Sequence, residues 1–163
     1  AILWQEGNVS LNPELCWVDA LAFEARLKQD DRGEAMEGAH GRLPVPQAVA
    51  LYLGAFLGSH DIPVWAIPYQ AHVRNQWVIA MLRQNEHIFA KAGLDDAVSD
   101  LDHAIRTDPM AEPLHRRLIS LLLKNDRRAQ AAACFDRCQK EMARAGGSPS
   151  AELQELARTI LSS

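Results

Sequence analysis

The chain contains no apolar run approaching the roughly 20 residues that a membrane-spanning helix requires. It has no N-terminal secretory pattern either. Together these absences predict a cytoplasmic protein without membrane contact. Cysteine is scarce: Cys16, Cys134 and Cys138 do not suggest a disulfide framework. Cys134 and Cys138, four positions apart, would share one helix face and could be half of a metal site. No second Cys/His pair completes it, so they read as small buried residues where helices touch. The chain begins at Ala1 rather than Met, which predicts a piece of a longer protein.

Recognisable catalytic chemistry is also missing. His60-Asp61 falls in a loop with no nucleophile tied to it and reads as a polar turn. Glu86-His87 is not part of an H-E-x-x-H zinc motif. His72 and His87 lie on one predicted helix about 22 Å apart, too far to share a metal. His103 and His115 sit on adjacent predicted helices without further ligands. Asp95, Asp96, Asp100 and Asp102 read as the wet face of a helix, because the glycine and terminal glutamate of a calcium loop are absent. There is no phosphate loop and no dinucleotide fingerprint. No catalytic residue, no metal and no cofactor is therefore assigned, and the chain is not expected to be an enzyme.

What is present is enough for a core. In 163 residues, 48% are apolar and 23% charged, which suits one domain, or one domain plus a fragment. The net charge of −4 is unevenly spread. Residues 1–110 carry 8 basic and 15 acidic residues, whereas residues 111–163 carry 9 and 6. An acidic domain is a poor nucleic-acid binder by itself, since phosphate contacts dominate that affinity. The basic set Arg116, Arg117, Lys124, Arg127, Arg128, Arg137, Lys140 and Arg144 could form a docking face for an acidic partner. The alternative is an ordinary solvated surface.

Ile2–Gln5, a turn at Glu6-Gly7-Asn8 and Val9–Leu11 read as a β-hairpin ended by Asn12-Pro13. A lone hairpin is marginal in water, so its apolar residues, Trp4 included, must pack on the rest of the chain or on an upstream domain. Asp19 caps a helix to about Lys28, with Ala20, Phe23 and Leu27 on one face. Residues 29–47 read as a loop, followed by a short helix near Gln47–Leu53. Trp65, in the apolar stretch Ile62–Pro68, is expected to plug the core. Long helices follow at about 69–91, 94–107, 111–124 and 127–145. Ser148 then caps a last helix with Pro149 at its first position, and Leu153, Leu156 and Ile160 seal the stack.

Ala97, Leu101 and Ala104 recur 34 positions later as Ala131, Phe135 and Cys138. That period and those sizes resemble a tetratricopeptide-like (TPR-like) array, an all-α stack of antiparallel helix pairs with about 6–7 helices behind the short hairpin. Such arrays hold other molecules on a groove or a face. The register nominates Leu82, Glu86 and Phe89 in one pair and Arg116, Ser120 and Leu123 in the next as groove residues for a peptide or another domain. They do not form the Lys/Asn cluster that holds a terminal carboxylate in TPR chaperone adaptors.

The order of motifs resembles the bacterial transcriptional activator domain, found after a winged-helix DNA-binding domain in SARP-type activators and related large ATPase regulators. Val9-x-Leu11-Asn12-Pro13 with Val18-Asp19 and Phe23-Glu24 is similar to the end of the winged-helix wing and the entry to the first activator-domain helix. Leu51–Leu57 is similar to the family's "LYRGDLL", with Leu53 and Ala55 where that run has Arg and Asp. Pro63-Val64-Trp65 matches its Pro-Trp element. Asp108–Arg116 resembles "DP-x-x-E-x-x-H-R", and Gly147–Leu153 resembles "G-x-x-PS-x-EL". The turn Asn125-Asp126-Arg127 replaces a Gly-Arg turn. The resemblance implies a non-catalytic regulatory module. Residues 1–18 would be the hairpin remnant of an upstream winged-helix domain, and residues 19–163 the helical domain. Its partner would be another protein or a second copy, with DNA reached only through the absent winged helix. The alternative is a general TPR scaffold unrelated to transcription.

Overall fold

The computed structural model describes residues 2–5, 7–12, 15–31, 48–58 and 61–161. The greater part of the 29–47 loop, together with Pro13, Gln47 and His60, lies outside them. Strand β1 (Ile2–Gln5) pairs antiparallel with β2 (Asn8–Leu11), and Ile2 stands opposite Leu11 and Trp4 opposite Val9. Six α-helices follow among the described residues: α1 (Asp19–Asp31), α2 (Ile67–Ala92), α3 (Leu94–Thr107), α4 (Glu112–Lys124), α5 (Arg128–Arg144) and α6 (Ala151–Leu161). Short 3-10 turns at Val49–Leu51 and Val64–Ala66 lie between α1 and α2. The first replaces the short helix expected near Gln47–Leu53.

Each boundary has a local cause. Pro68 sits in the first turn of α2, where its missing N–H is no loss. A single residue, Gly93, joins α2 to α3 at φ 94° and ψ −168°, a backbone conformation essentially reserved for glycine. Gly146, at φ 76°, ends the segment after α5. Connections this short make neighbouring helices antiparallel. Helix α4 is central and packs on α2, α3, α5 and α6.

The core is the predicted stripe. Ala97, Leu101, Ala104, Ala131 and Cys138 are at most 1% exposed, and Leu114, Leu118 and Leu122 fill the space between them. Phe23 and Tyr52 extend the core toward α1, with Tyr52 stacked on Trp77 at 4.5 Å. Leu153 is fully buried beneath α6, and Leu156 and Ile160 pack partly against the same core.

Two expectations are overturned. Trp65 is 71% exposed and does not plug the core. A three-residue-per-turn helix presents only one of its residues inward, and here that is Ala66. The last helix is capped by Ser150 instead of Ser148. The Leu153 N–H donates to Ser150 Oγ at 3.3 Å, and Gln154 N–H donates to Ser150 O at 3.0 Å. Pro149 is buried one residue before that cap, outside the helix. The hairpin packs on no helix among the described residues, and Ile2, Trp4 and Leu11 are exposed.

Ala131 has no exposed surface at all, so Ala131→Leu overpacks the α4–α5 contact and should cost about 1–3 kcal/mol. A thermal melt unchanged by this substitution would contradict the packing.

Candidate functional site

The groove candidates divide by position. Leu82 on α2 and Leu123 on α4 are half-buried against the core. Glu86 is exposed, Phe89 is 37% exposed, and Ser120 is half-buried. Helices α2 and α4 touch, so the two triplets stand on adjacent helices. Arg116, however, forms an ion pair with Glu152 of α6 and is engaged in the end of the stack.

A separate cleft of about 250 Å³ opens between α1 and α2. One face of α2 supplies His72, Gln76, Ile79 and Arg83; Glu24, Leu27 and Lys28 of α1 stand opposite. His72 Nε2 lies 3.7 Å from Glu24 Oε1. This cleft is displaced along and around α2 from the predicted groove, and the repeat register could not indicate it because α1 lies outside the repeat.

The residues of the Asp108–Arg116 run form a corner that joins three parts of the stack. Asp108 accepts two bonds from Arg74 of α2, from Nε at 2.5 Å and Nη2 at 3.0 Å, and a third from Met110 N–H at 3.1 Å. Bidentate pairing of this kind fixes angle as well as distance. Glu112 accepts both the backbone N–H and the hydroxyl of Ser150, tying α4 to the cap of α6. His115 is fully buried, with Nε2 at 2.8 Å from Pro109 O. A carbonyl oxygen only accepts, so Nε2 carries the proton; Nδ1 is buried without a partner. Burial therefore lowers the His115 pKa, against the opposing hydrogen bond to Pro109. The two motifs at 108–116 and 147–153, far apart in sequence, meet here through Glu112–Ser150 and Arg116–Glu152.

A second tie lies deeper and gave no signal in the sequence. Asn85 of α2 is fully buried. Its Nδ2 donates to Ala97 O at 2.8 Å and to Asp100 Oδ2 at 3.2 Å, and its Oδ1 accepts from Arg117 Nε at 3.3 Å. One amide thus links α2, α3 and α4. Gln84 adds a 2.8 Å bond to Asp100 Oδ1.

These contacts change the reading of the basic set. Arg127 bonds Asp95 at 2.6 Å and Arg137 bonds Asp102 at 2.5 Å, both across to α3. Arg117 serves Asn85, Arg116 serves Glu152, and Arg144 serves Glu141 within α5. Of the eight, only Lys124, Arg128 and Lys140 stand exposed without an ion pair among the described residues. Arg116, Arg117, Arg127 and Arg137 are thus engaged by acceptors on other helices, which breaks up the basic set as a continuous face.

Reactive groups are not gathered either. Among the described residues, no three His, Cys, Asp or Glu side chains are placed to hold a metal ion. His103 is exposed while His115 is buried in its corner. Burial pushes the Cys138 thiol up to about 11 and raises that of Cys134, so both remain protonated at neutral pH. Cys138 Sγ lies 3.9 Å from Met142 Sδ inside the core.

His115 should make stability depend on pH. Its folded pKa lies below the usual histidine value of about 6.5, so the contribution is full above that value and is lost as pH falls through 6.5 toward the folded pKa. The urea midpoint should fall as the pH is lowered from about 7 through the usual histidine value. His115→Gln, which retains a donor for Pro109 O, should flatten that slope. Equal slopes in both proteins would refute the assignment.

A family model described as the bacterial transcriptional activator domain matches residues 18–161. Comparison with the curated proteins and with the solved structures gave no match. The match spans α1 through α6 and includes both motifs of the corner just described. The chain belongs to the bacterial transcriptional activator domain family and is a domain of a transcriptional regulator, a regulatory and not an enzymatic family.

Proposed function

We propose that residues 19–163 form a non-catalytic interaction module that couples a winged-helix DNA-binding domain to a protein partner or to self-association in the cytoplasm. The observation that carries this reading is the hairpin. It precedes the first helix, packs on no helix among the described residues, and exposes Ile2, Trp4 and Leu11. Two strands alone are marginal in water, so this ribbon needs a neighbour. The reading assigns residues 1–18 to the seam with an upstream winged-helix domain, which supplies that neighbour.

The α2–α4 face supports the second half of the proposal. Glu86 and Phe89 are exposed on α2, and half-buried Ser120 and Leu123 lie on the adjoining α4, a mixed apolar and polar set suited to a protein segment. Leu82 backs them from the core, and Arg116 closes the far end through Glu152.

The test uses a longer protein with the residues that precede Ala1. It should shift promoter DNA in a gel, whereas residues 1–163 alone should not. Phe89→Ser with Glu86→Arg should leave that shift unchanged and lower activation from the same promoter by about tenfold, the loss of roughly 1.4 kcal/mol of partner contact. Absence of DNA binding by the longer protein would refute the coupling.

A further inference from the structure

His115 is the one buried histidine among the described residues, and its surroundings connect it to the end of the stack. Nε2 is occupied by Pro109 O at 2.8 Å, while Nδ1 is buried without a hydrogen-bond partner. A proton gained by the ring goes to Nδ1 and then needs an acceptor that the closed corner does not supply.

Three ionised groups face the ring: Arg137 of α5, Asp108 in the turn before α4, and Glu112 of α4 itself. Arg137 repels the charge that protonation creates. Asp108 is committed to two bonds from Arg74 of α2 and one from Met110 N–H. The Cys138 thiol, also near Glu112, stays protonated and brings no charge. Glu152 of α6 is paired with Arg116. Glu112 is the remaining acceptor. It stands three positions before His115, so the two side chains are neighbours on one helix face. Its carboxylate holds the backbone N–H and the hydroxyl of Ser150, the cap of α6. Helix α6 in turn rests on α4 and α5 alone among the described helices. A terminal element of a helix array has few neighbours and opens more readily than the stack behind it.

From these observations we propose that Glu112 and His115 form an acid-released latch on α6. When the buried ring takes a proton, the Glu112 carboxylate turns from Ser150 to Nδ1–H, and α6 parts from α4 and α5 while the rest of the stack holds. Burial and the Arg137 cation disfavour that proton in the closed form, so the closed ring titrates below its usual value of about 6.5. Opening restores the usual value. The closed form is therefore fully favoured above it and loses that advantage as the pH falls toward the lower, closed-state value. Opening uncovers Leu153, which is fully buried when α6 is docked. The latch does not depend on the coupling to a winged helix.

Native-state hydrogen exchange of residues 1–163 at about pH 7.5 and about pH 5 tests it, with each rate divided by that of an unstructured chain at the same pH. The amides of α6 should be less protected than those of α3 at both values, because α6 opens alone. Their protection should drop by about tenfold from the higher pH to the lower. His115→Gln should remove that drop, and His103→Gln, at an exposed position, should keep it. Equal protection of α6 and α3 means that α6 leaves only with the whole domain, and it overturns the proposal. So does α6 protection that ignores pH in the unsubstituted protein, a result that needs no variant to fold. A drop that survives in His115→Gln assigns the response to another group and overturns it as well.

Discussion

The polar corner at the start of α4 is the constraint on which the stack depends. Within nine residues, Asp108 takes Arg74 from α2, Glu112 takes Ser150 at the cap of α6, His115 closes the turn on Pro109, and Arg116 takes Glu152. Helix arrays of this type have mainly nearest-neighbour contacts, so the placement of one helix determines the next. Helix α4 touches four others, and the corner at its start ties it to two of them, α2 and α6. The apolar stripe supplies most of the favourable free energy but is non-directional. A row of alanines and leucines could slide by a turn; a bidentate Arg74–Asp108 pair with Asp108 only 11% exposed cannot follow without losing both bonds.

The uneven charge of the chain follows from the same arrangement. An acidic first part and a basic last part look in sequence like surfaces for two different partners. In the structure they address each other: Asp95 and Asp102 of α3 receive Arg127 and Arg137 from the start and middle of α5. Asp95 is 82% exposed and Arg137 49%, so solvent screens these pairs and each adds little to stability. Their effect is on register. The buried Asn85 amide, for its part, holds α2 in register with α3 and α4 from inside.

Much of the fold was legible in the sequence, and the parts that were not share a cause. Helix ends at Gly93 and Asp108-Pro109 are local, written in backbone preferences, and they appear where periodicity put them. The small-residue stripe was legible because close helix approach demands it. Trp65 misled because an apolar run between prolines does not reveal that a 3-10 turn will bury only Ala66. Ser148 and Ser150 are equivalent as local caps; the choice is made by Glu112, 38 positions away. Asn85 looks like any polar helix residue until α3 brings the Ala97 carbonyl beside it. Long-range polar partners are what pattern reading cannot supply. The candidate site suffered most: of six groove positions, Arg116 turned out to be engaged with α6, and the α1–α2 cleft involved a helix outside the repeat.

A consequence follows for where specificity can reside. The residues that carry the family resemblance at 108–116 and 147–153 are largely consumed by contacts within the domain. The same holds for Tyr52, which stacks on Trp77 and whose pKa is pushed up to about 12 by burial and by nearby Asp108. Groups so engaged cannot also choose a partner without releasing what they hold. Outward side chains away from these two motifs, such as Glu86 and Phe89 on α2 and Lys28 at the cleft, are not engaged in this way.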